Sequence, residues 1–261
     1  MAAGYASDRP PMHARIMARV REDLAVRVPF HVALDIGCGA GLSTAPLRPL
    51  ARQCVGVEPA EAMLAASRTL VPDASFVVGS AEHLPLPAAS IDLIAAAGSL
   101  NFMPLDAALG DIHRVLTPDG VLVAYDWATA REIVDDTGLD AWFTRFRTRY
   151  PRPASEAIFL DPPALAGYAS AFVMTGAVTF AWPLTMTAEA YERYMMTETN
   201  VAAAVRGGTP LEDIRAWCRE TLVDVFGGRP REVLFRGYIA YLTQAAGCAT
   251  RTRAADASTD R

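Results

Sequence analysis

Short apolar runs alternate with amphipathic stretches along the first half of the chain. Val32–Ile36 is an apolar run ended by glycine, and Cys54–Glu58, Ser75–Gly79, Ile91–Gly98 and Val121–Trp127 have the same character. Runs this short, rich in branched side chains and bounded by turn residues, predict strands. Between them, Leu42–Ala51, Ala60–Val71 and Pro104–Leu116 carry apolar residues at helical spacing. Pro46 and Pro49 stand against a regular helix in the first of these. Ala81–Ser90 reads as a proline-rich loop and Thr117–Gly120 as a turn. Strands alternating with helices predict an α/β fold, a three-layer doubly wound and mostly parallel sheet.

The second half is less regular. Asp140–Tyr150 has helical spacing with many arginines and aromatics, and Val173–Ala181 reads as a buried strand. Thr187–Thr197 predicts a helix with Thr187 as its N-cap and Glu189 in its first turn. Leu211–Phe226 predicts another helix, and Glu232–Leu242 a last strand, which brings the sheet to seven strands. We expect residues 1–30 to form an N-terminal arm and residues 31–245 one domain. A helical, aromatic lid is expected as an insertion within residues 129–228, and a disordered polar tail over residues 246–261.

Composition narrows the function. The 261 residues suit one large α/β domain, and 52% hydrophobic residues are ample for its core. A net charge of −5 gives no overall attraction to nucleic acid. The dense basic stretch Arg145–Pro153 is expected to be a solvated helix face. Cys38, Cys54, Cys218 and Cys248 are scattered without metal-ligand spacing, which predicts free thiols, no metal and a reducing, cytoplasmic setting. The N-terminal segment has arginines but no apolar h-region, so no signal peptide is expected. Pro162–Ala188 carries no charge, but its apolar part falls short of the ~20 residues a membrane helix needs. No membrane partner is expected, and the chain is read as a monomer or a homodimer.

The chemistry gathers at the predicted strand ends. Gly37, Gly39 and Gly41 alternate just after the first strand, and Asp35 precedes them. Glycine there serves either a tight turn or close approach of the backbone to a ligand. A dinucleotide loop of the G-x-G-x-x-G type would need glycine at position 42, which is Leu42. An acid ahead of the loop suits a cation or an amine better than a pyrophosphate. Asp35, Glu58, Ser80, Ser99 and Asp126 fall at or just past strand ends, the rim where parallel sheets bind ligands.

"LDIGCGAG" resembles the nucleotide loop of the class I, Rossmann-like S-adenosylmethionine-dependent methyltransferases of small-molecule type. "VGVEPAEAML", "VGSAEHLPLPAASIDLI", "SLNFM" and "HRVLTPDGVLV" resemble further segments of that family in the family's order. The resemblance covers Val32–Trp127 and implies S-adenosyl-L-methionine as cofactor. It implies that Gly37, Cys38, Gly39 and Gly41 pass against the amino-acid part, with Asp35 as partner of the ammonium, directly or through water. Glu58, with Pro59 beside it, would accept the ribose hydroxyls, and Met63 would lie on the adenine. Ser80, Ala81 and Glu82 would hold the adenine edge, and Gly98 and Ser99 would lie beside the methionine part.

Methyl transfer to a small-molecule acceptor, at oxygen or carbon, is the activity expected. The alternatives are a non-methylating reaction such as cyclisation on the same cofactor site, an NAD(P)-dependent oxidoreductase, and a non-catalytic binding module. His13, Asn101 and Asp126 are the candidates for catalysis. Tyr5 and Arg9 in the arm, together with Trp142, Phe146, Trp182, Tyr191 and Met195 in the lid, are the candidates for acceptor contact. Packing within the lid is the competing role for its aromatics. A resemblance to trans-aconitate methyltransferases implies that Arg145, Arg147, Arg149 and Arg152 could instead hold a carboxylated acceptor, though one helix can turn at most two of them to a shared face.

Overall fold

The computed structural model describes residues 8–155 and 157–245. The chain opens with α1 (Met12–Asp23), whose Met12, Ile16, Met17 and Val20 form one buried stripe. Then follow β1 (Phe30–Ile36), β2 (Ala51–Glu58), α2 (Glu61–Leu70), β3 (Ser75–Val78), β4 (Ile91–Ala97), α3 (Leu105–Val115) and β5 (Leu116–Trp127). After β5 come β6 (Glu132–Ile133), α4 (Gly138–Arg149), α5 (Pro162–Tyr168) and β7 (Phe172–Met186). The chain closes with α6 (Ala188–Met195), α7 (Thr199–Arg206), α8 (Leu211–Phe226) and β8 (Arg231–Gln244).

The sheet runs β3-β2-β1-β4-β5-β8, with β7 along the far edge of β8 and β6 beside β8 past the end of β5. Strands β1 to β5 are parallel, and β8 is antiparallel to both β5 and β7. The chain winds outward through β2 and β3, then returns to β4 on the other side of β1. That reversal opens a crevice beyond the carboxyl ends of β1 and β4, where doubly wound sheets take their ligands. Helices cover both faces. One core joins the Ala33, Ala95, Val123 and Tyr125 face to α1 and to the lid helices α4, α6 and α8. The other joins Leu34, Ile36, Ile94 and Leu122 to α3 and α5.

The structure departs from the sequence expectations in several places. The sheet has eight strands, because the two-residue β6 pairs with β8. Leu42–Ala51 contains no α-helix but a 3-10 turn over Ala45–Leu50, since Pro46 and Pro49 remove the donors an α-helix needs. The Thr117–Gly120 turn is absorbed into β5, where pairing jumps from Ile91↔Leu116 to Leu93↔Val121. Finally, β7 is not a buried strand: it lies at the sheet edge, and its odd-numbered residues from Val173 to Thr185 are exposed. Two helices, α5 and α7, were not expected. Asp161 caps the first by accepting from Ala164 N.

Candidate active site

The glycine loop leaves β1 with left-handed residues at Gly37 (φ +66°), Gly39 (φ +51°) and Gly41 (φ +89°). A Cβ on Gly37 would lie 2.6 Å from Cβ of Ser99, so the ends of β1 and β4 can meet only over glycine. The Gly37 and Cys38 amides both donate to Val57 O, at 2.8 and 3.2 Å, which folds the loop over the end of β2. Glu58 holds the next turn: Oε2 accepts from Gly39 N and Oε1 from Ala60 N, each at 3.1 Å. Each carboxylate oxygen keeps a second lone-pair direction for an incoming hydroxyl.

Asp35 is sealed beneath this loop with 0% exposure. Its Oδ2 accepts from Ser43 Oγ at 2.7 Å and Thr44 Oγ1 at 2.6 Å, whereas its buried Oδ1 has no hydrogen-bond partner. Burial pushes its pKa up to about 6, against the two hydroxyls that favour the charged form. An orphaned, buried carboxylate oxygen is costly and marks a position where a donor belongs. Oδ1 has no exposed surface, so a ligand's amino group would reach it through a bridging water or after the loop moves, and on those terms the residues present fit the amino group of S-adenosylmethionine. Cys38 is buried beside the loop, and burial raises its thiol pKa.

Beyond β2 the structure brings Met63 beside Gly39, whose added Cβ would meet Met63 Cε at 3.6 Å. Pro59 is exposed at the start of that turn. Ser80 pairs with His83 in an isolated bridge, which places the buried Ala81 and half-buried Glu82 at the tip of a short turn. Asp111 and Arg114 of α3 fix the following loop: Leu84 N donates to Asp111 Oδ2 at 2.6 Å, and Arg114 reaches Leu84 O and Leu86 O.

Past β4, Ser99 Oγ donates to Ile36 O at 2.6 Å, so it ties β4 to β1 rather than capping the 3-10 turn Leu100–Phe102. Gly98 sits at φ +65°, and a Cβ there would lie 2.9 Å from Asp126 Oδ1. Asn101 Nδ2 donates to Asp126 Oδ2 and Trp127 N to Oδ1, both at 2.7 Å. Burial raises the Asp126 pKa, and the charges of Arg9 and Arg152 oppose that rise. Helix α1 brings His13 to the same rim, where Nδ1 is 2.9 Å from the Tyr125 hydroxyl. The His13 ring meets Trp127 edge-on, with centroids 4.8 Å apart. Burial, helped by Arg9, lowers the His13 pKa to about 4. Sequence reasoning missed Tyr125, although its place two residues before Trp127 on β5 puts it on the sheet face of Asp35.

The lid candidates divide. Trp142, Phe146, Tyr191 and Met195 are each 0% exposed and form the lid's own core, not a pocket wall. Trp142 Nε1 donates to Thr221 Oγ1 and the Tyr191 hydroxyl to Ala130 O, so their polar ends are spent inside the lid. Trp182 is half-buried on β7, stacked on Phe180 at 4.1 Å, with the Arg15 guanidinium 4.6 Å from its ring centre. Tyr5 lies outside the described residues, as does the expected tail. Among the described residues no cluster of His, Cys, Asp and Glu could hold a metal ion, and no helix is long and apolar enough to cross a membrane.

This switch-point crevice, with its glycine loop and two flanking carboxylates, defines a Rossmann-like methyltransferase domain. Residues 34–124 match the methyltransferase-domain family. An uncharacterized methyltransferase of Synechocystis is 32% identical over 108 residues, 40% of this chain and 50% of the relative. A malonyl-acyl-carrier-protein O-methyltransferase of Dechloromonas aromatica is 36% identical over 124 residues, 46% of this chain and 45% of the relative. The chain thus spans about half the length of the curated relatives it matches. In fold it is similar to a presumed type II methyltransferase of Anaeromyxobacter dehalogenans. That likeness has a TM-score of 0.65 and 24% identity over 89% of this chain and 95% of the other.

Proposed function

We propose that the protein transfers a methyl group from S-adenosylmethionine to a small-molecule acceptor at oxygen or carbon. The orphaned Oδ1 of buried Asp35, beside a loop already tied to Glu58, carries this reading. Asp35 would hold the ammonium, Glu58 the ribose hydroxyls, and the turn Ser80–Glu82 with Met63 the adenine. When bound, the cofactor supplies a methyl group on a sulfonium, already activated for displacement. What remains for the chain is positioning and exclusion of water, which can contribute several kcal/mol. The loop, and α1 through His13, would supply the walls.

Asp126 is the group placed to take a proton from a hydroxyl or an activated carbon acid. Asn101 and the Trp127 amide fix its two oxygens, and burial moves its pKa toward neutrality, which suits a base. His13 stays neutral at pH 7 and orients against Tyr125 rather than serving as a strong base. O-methylation has further support in the activity named for the Dechloromonas relative. A cytoplasmic setting fits the buried, free thiols of Cys38, Cys54 and Cys218.

Calorimetry with S-adenosylhomocysteine tests the cofactor site. Glu58→Ala is expected to weaken binding by about tenfold or more, the scale of 1.4 kcal/mol; unchanged affinity removes Glu58 from the site. Incubation with labelled S-adenosylmethionine and a metabolite extract then identifies the methylated product by mass. Turnover of an acceptor without release of S-adenosylhomocysteine would point to a non-methylating reaction instead.

A further inference from the structure

We infer that the depression bounded by Arg131, Arg147 and Arg152 seats an anionic group, a carboxylate or a phosphate, carried by the acceptor. That the anion belongs to the acceptor rests on the methyl-transfer reading; that an anion binds there does not. The depression has a volume of ≈ 430 Å³ and also takes in Phe143 and Pro151. In a chain of net charge −5, three guanidinium groups around one hollow are a strong local reversal of sign. Arg131 has an ion pair, with Asp140 at 3.1 Å, but both partners are about half exposed. Arg147 and Arg152 have no ion-pair partner among the described residues. Clustered like charges repel, and a bound oxyanion that accepts from planar guanidinium forks relieves that repulsion.

The sequence explains the convergence. Phe143 and Arg147 are four residues apart on α4 and share a face, so both line the same hollow. Arg145 falls off that face, and Arg149 lines a neighbouring hollow together with Asp213. Arg131 and Arg152 come from the two chain segments flanking β6 and α4.

The same segments lead to the rim. Arg131 follows the end of β5, which carries Asp126. The stretch after Arg152 crosses the turn beyond β4, where Ile158 N donates to Asn101 O at 2.9 Å. Asn101 in turn holds Asp126. Arg152 is among the charges that act on the Asp126 carboxyl. An acceptor with its anionic end among the arginines would thus be tethered beside the proposed base.

The test is calorimetric titration of the full chain with citrate and with inorganic pyrophosphate, which separate carboxylate from phosphate recognition. The wild type is expected to bind at least one probe, more weakly as salt is added. The double variant Arg147→Glu/Arg152→Glu should lose about tenfold or more, and Arg145→Glu should stay within about twofold. Circular dichroism checks the fold of each variant, and Arg147→Gln/Arg152→Gln replaces the double variant if the charge reversal unfolds it. Absence of binding of both probes to the wild type overturns the proposal, as does an equal loss in Arg145→Glu. Titration of the same variants with S-adenosylhomocysteine separates the two readings. If the wild type binds an anion but not the nucleoside, the methyl-transfer reading fails and the anion site stands.

Discussion

Asp35 makes the site measurable without an acceptor. Its folded pKa, about 6, lies above the ordinary carboxyl value of 3.8 because it is buried. The folded chain therefore holds a proton that the unfolded chain releases. Asp35's contribution to stability is most favourable below about pH 4 and is lost as pH rises through about 6. Asp35→Asn should flatten that fall in urea unfolding measured from pH 4 to pH 8, because its neutral amide does not ionise. The same substitution should weaken binding of S-adenosylhomocysteine, since the orphaned acceptor is gone. His13 contributes the opposite slope: its pKa is depressed to about 4, so its share of stability is lost as pH falls from 6.5 through about 4. Comparison of Asp35→Asn with His13→Gln separates the two slopes. Gly37→Ala is a steric test. Its φ of +66° and the 2.6 Å approach to Ser99 Cβ should cost about 2–4 kcal/mol in denaturant unfolding. A cost under about 0.5 kcal/mol would mean that the β1–β4 junction relaxes freely.

At the scale of elements, β8 is the hinge between the sheet and the lid. It pairs with β5 on one side and β7 on the other, and Gly237 stands where Trp127 and Phe180 cross. A Cβ on Gly237 would run into the Asp126 carbonyl oxygen and lie 2.6 Å from Phe180 Cζ. Gly237→Ala should therefore destabilise the protein by about 3 kcal/mol or more and disturb Asp126, visible together as a lower urea midpoint and reduced turnover. Most of the parallel half was legible in the sequence, because β1 to β4 are short runs rich in apolar residues that end at or just before a glycine or an acid. The helix Leu211–Phe226 was legible to its end residues, where Gly227 turns left-handed at φ +60°. The lid's role was not legible. Trp142, Phe143 and Phe146 are aromatic on adjoining helix positions, and composition cannot say whether such a face turns to a pocket or to a neighbouring helix. Burial settles it for Trp142 and Phe146, which pack on Trp217. Likewise the uncharged run through β7 suggested burial. An edge strand with small and hydroxyl side chains on its exposed face has the same composition. Within the candidate site, the glycine loop and the acids were read from strand ends, and the structure places them there. Tyr125 escaped notice because its part depends on a partner from α1, more than a hundred residues away in sequence.

At the scale of the molecule, the lid is not a separate body. The buried cluster on the Asp35 side of the sheet runs without a break from α1 through Val123 and Tyr125 to Trp142, Tyr191 and Phe226. Only the opposite face, with α3 and α5, has a core of its own, and the sheet itself joins the two. A lid built on the sheet's own core cannot melt while the sheet persists, because its aromatics would lose their packing partners together. Unfolding is therefore expected as one transition, with near- and far-ultraviolet circular dichroism coinciding. Two separated transitions would instead mark the lid as an independent domain. The proposed cofactor site lies at the meeting of both cores, with Asp35 on one face and Ala81 on the other, so a ligand there would be coupled to the whole transition. S-adenosylhomocysteine at a hundred times its Kd should add about 2.7 kcal/mol. For a domain of this size that is a rise in Tm of roughly 5–10 °C. The same addition to Asp35→Asn should give a smaller rise, in proportion to its weaker binding. An equal rise in both proteins would detach Asp35 from the ligand and leave its orphaned oxygen as a purely structural strain.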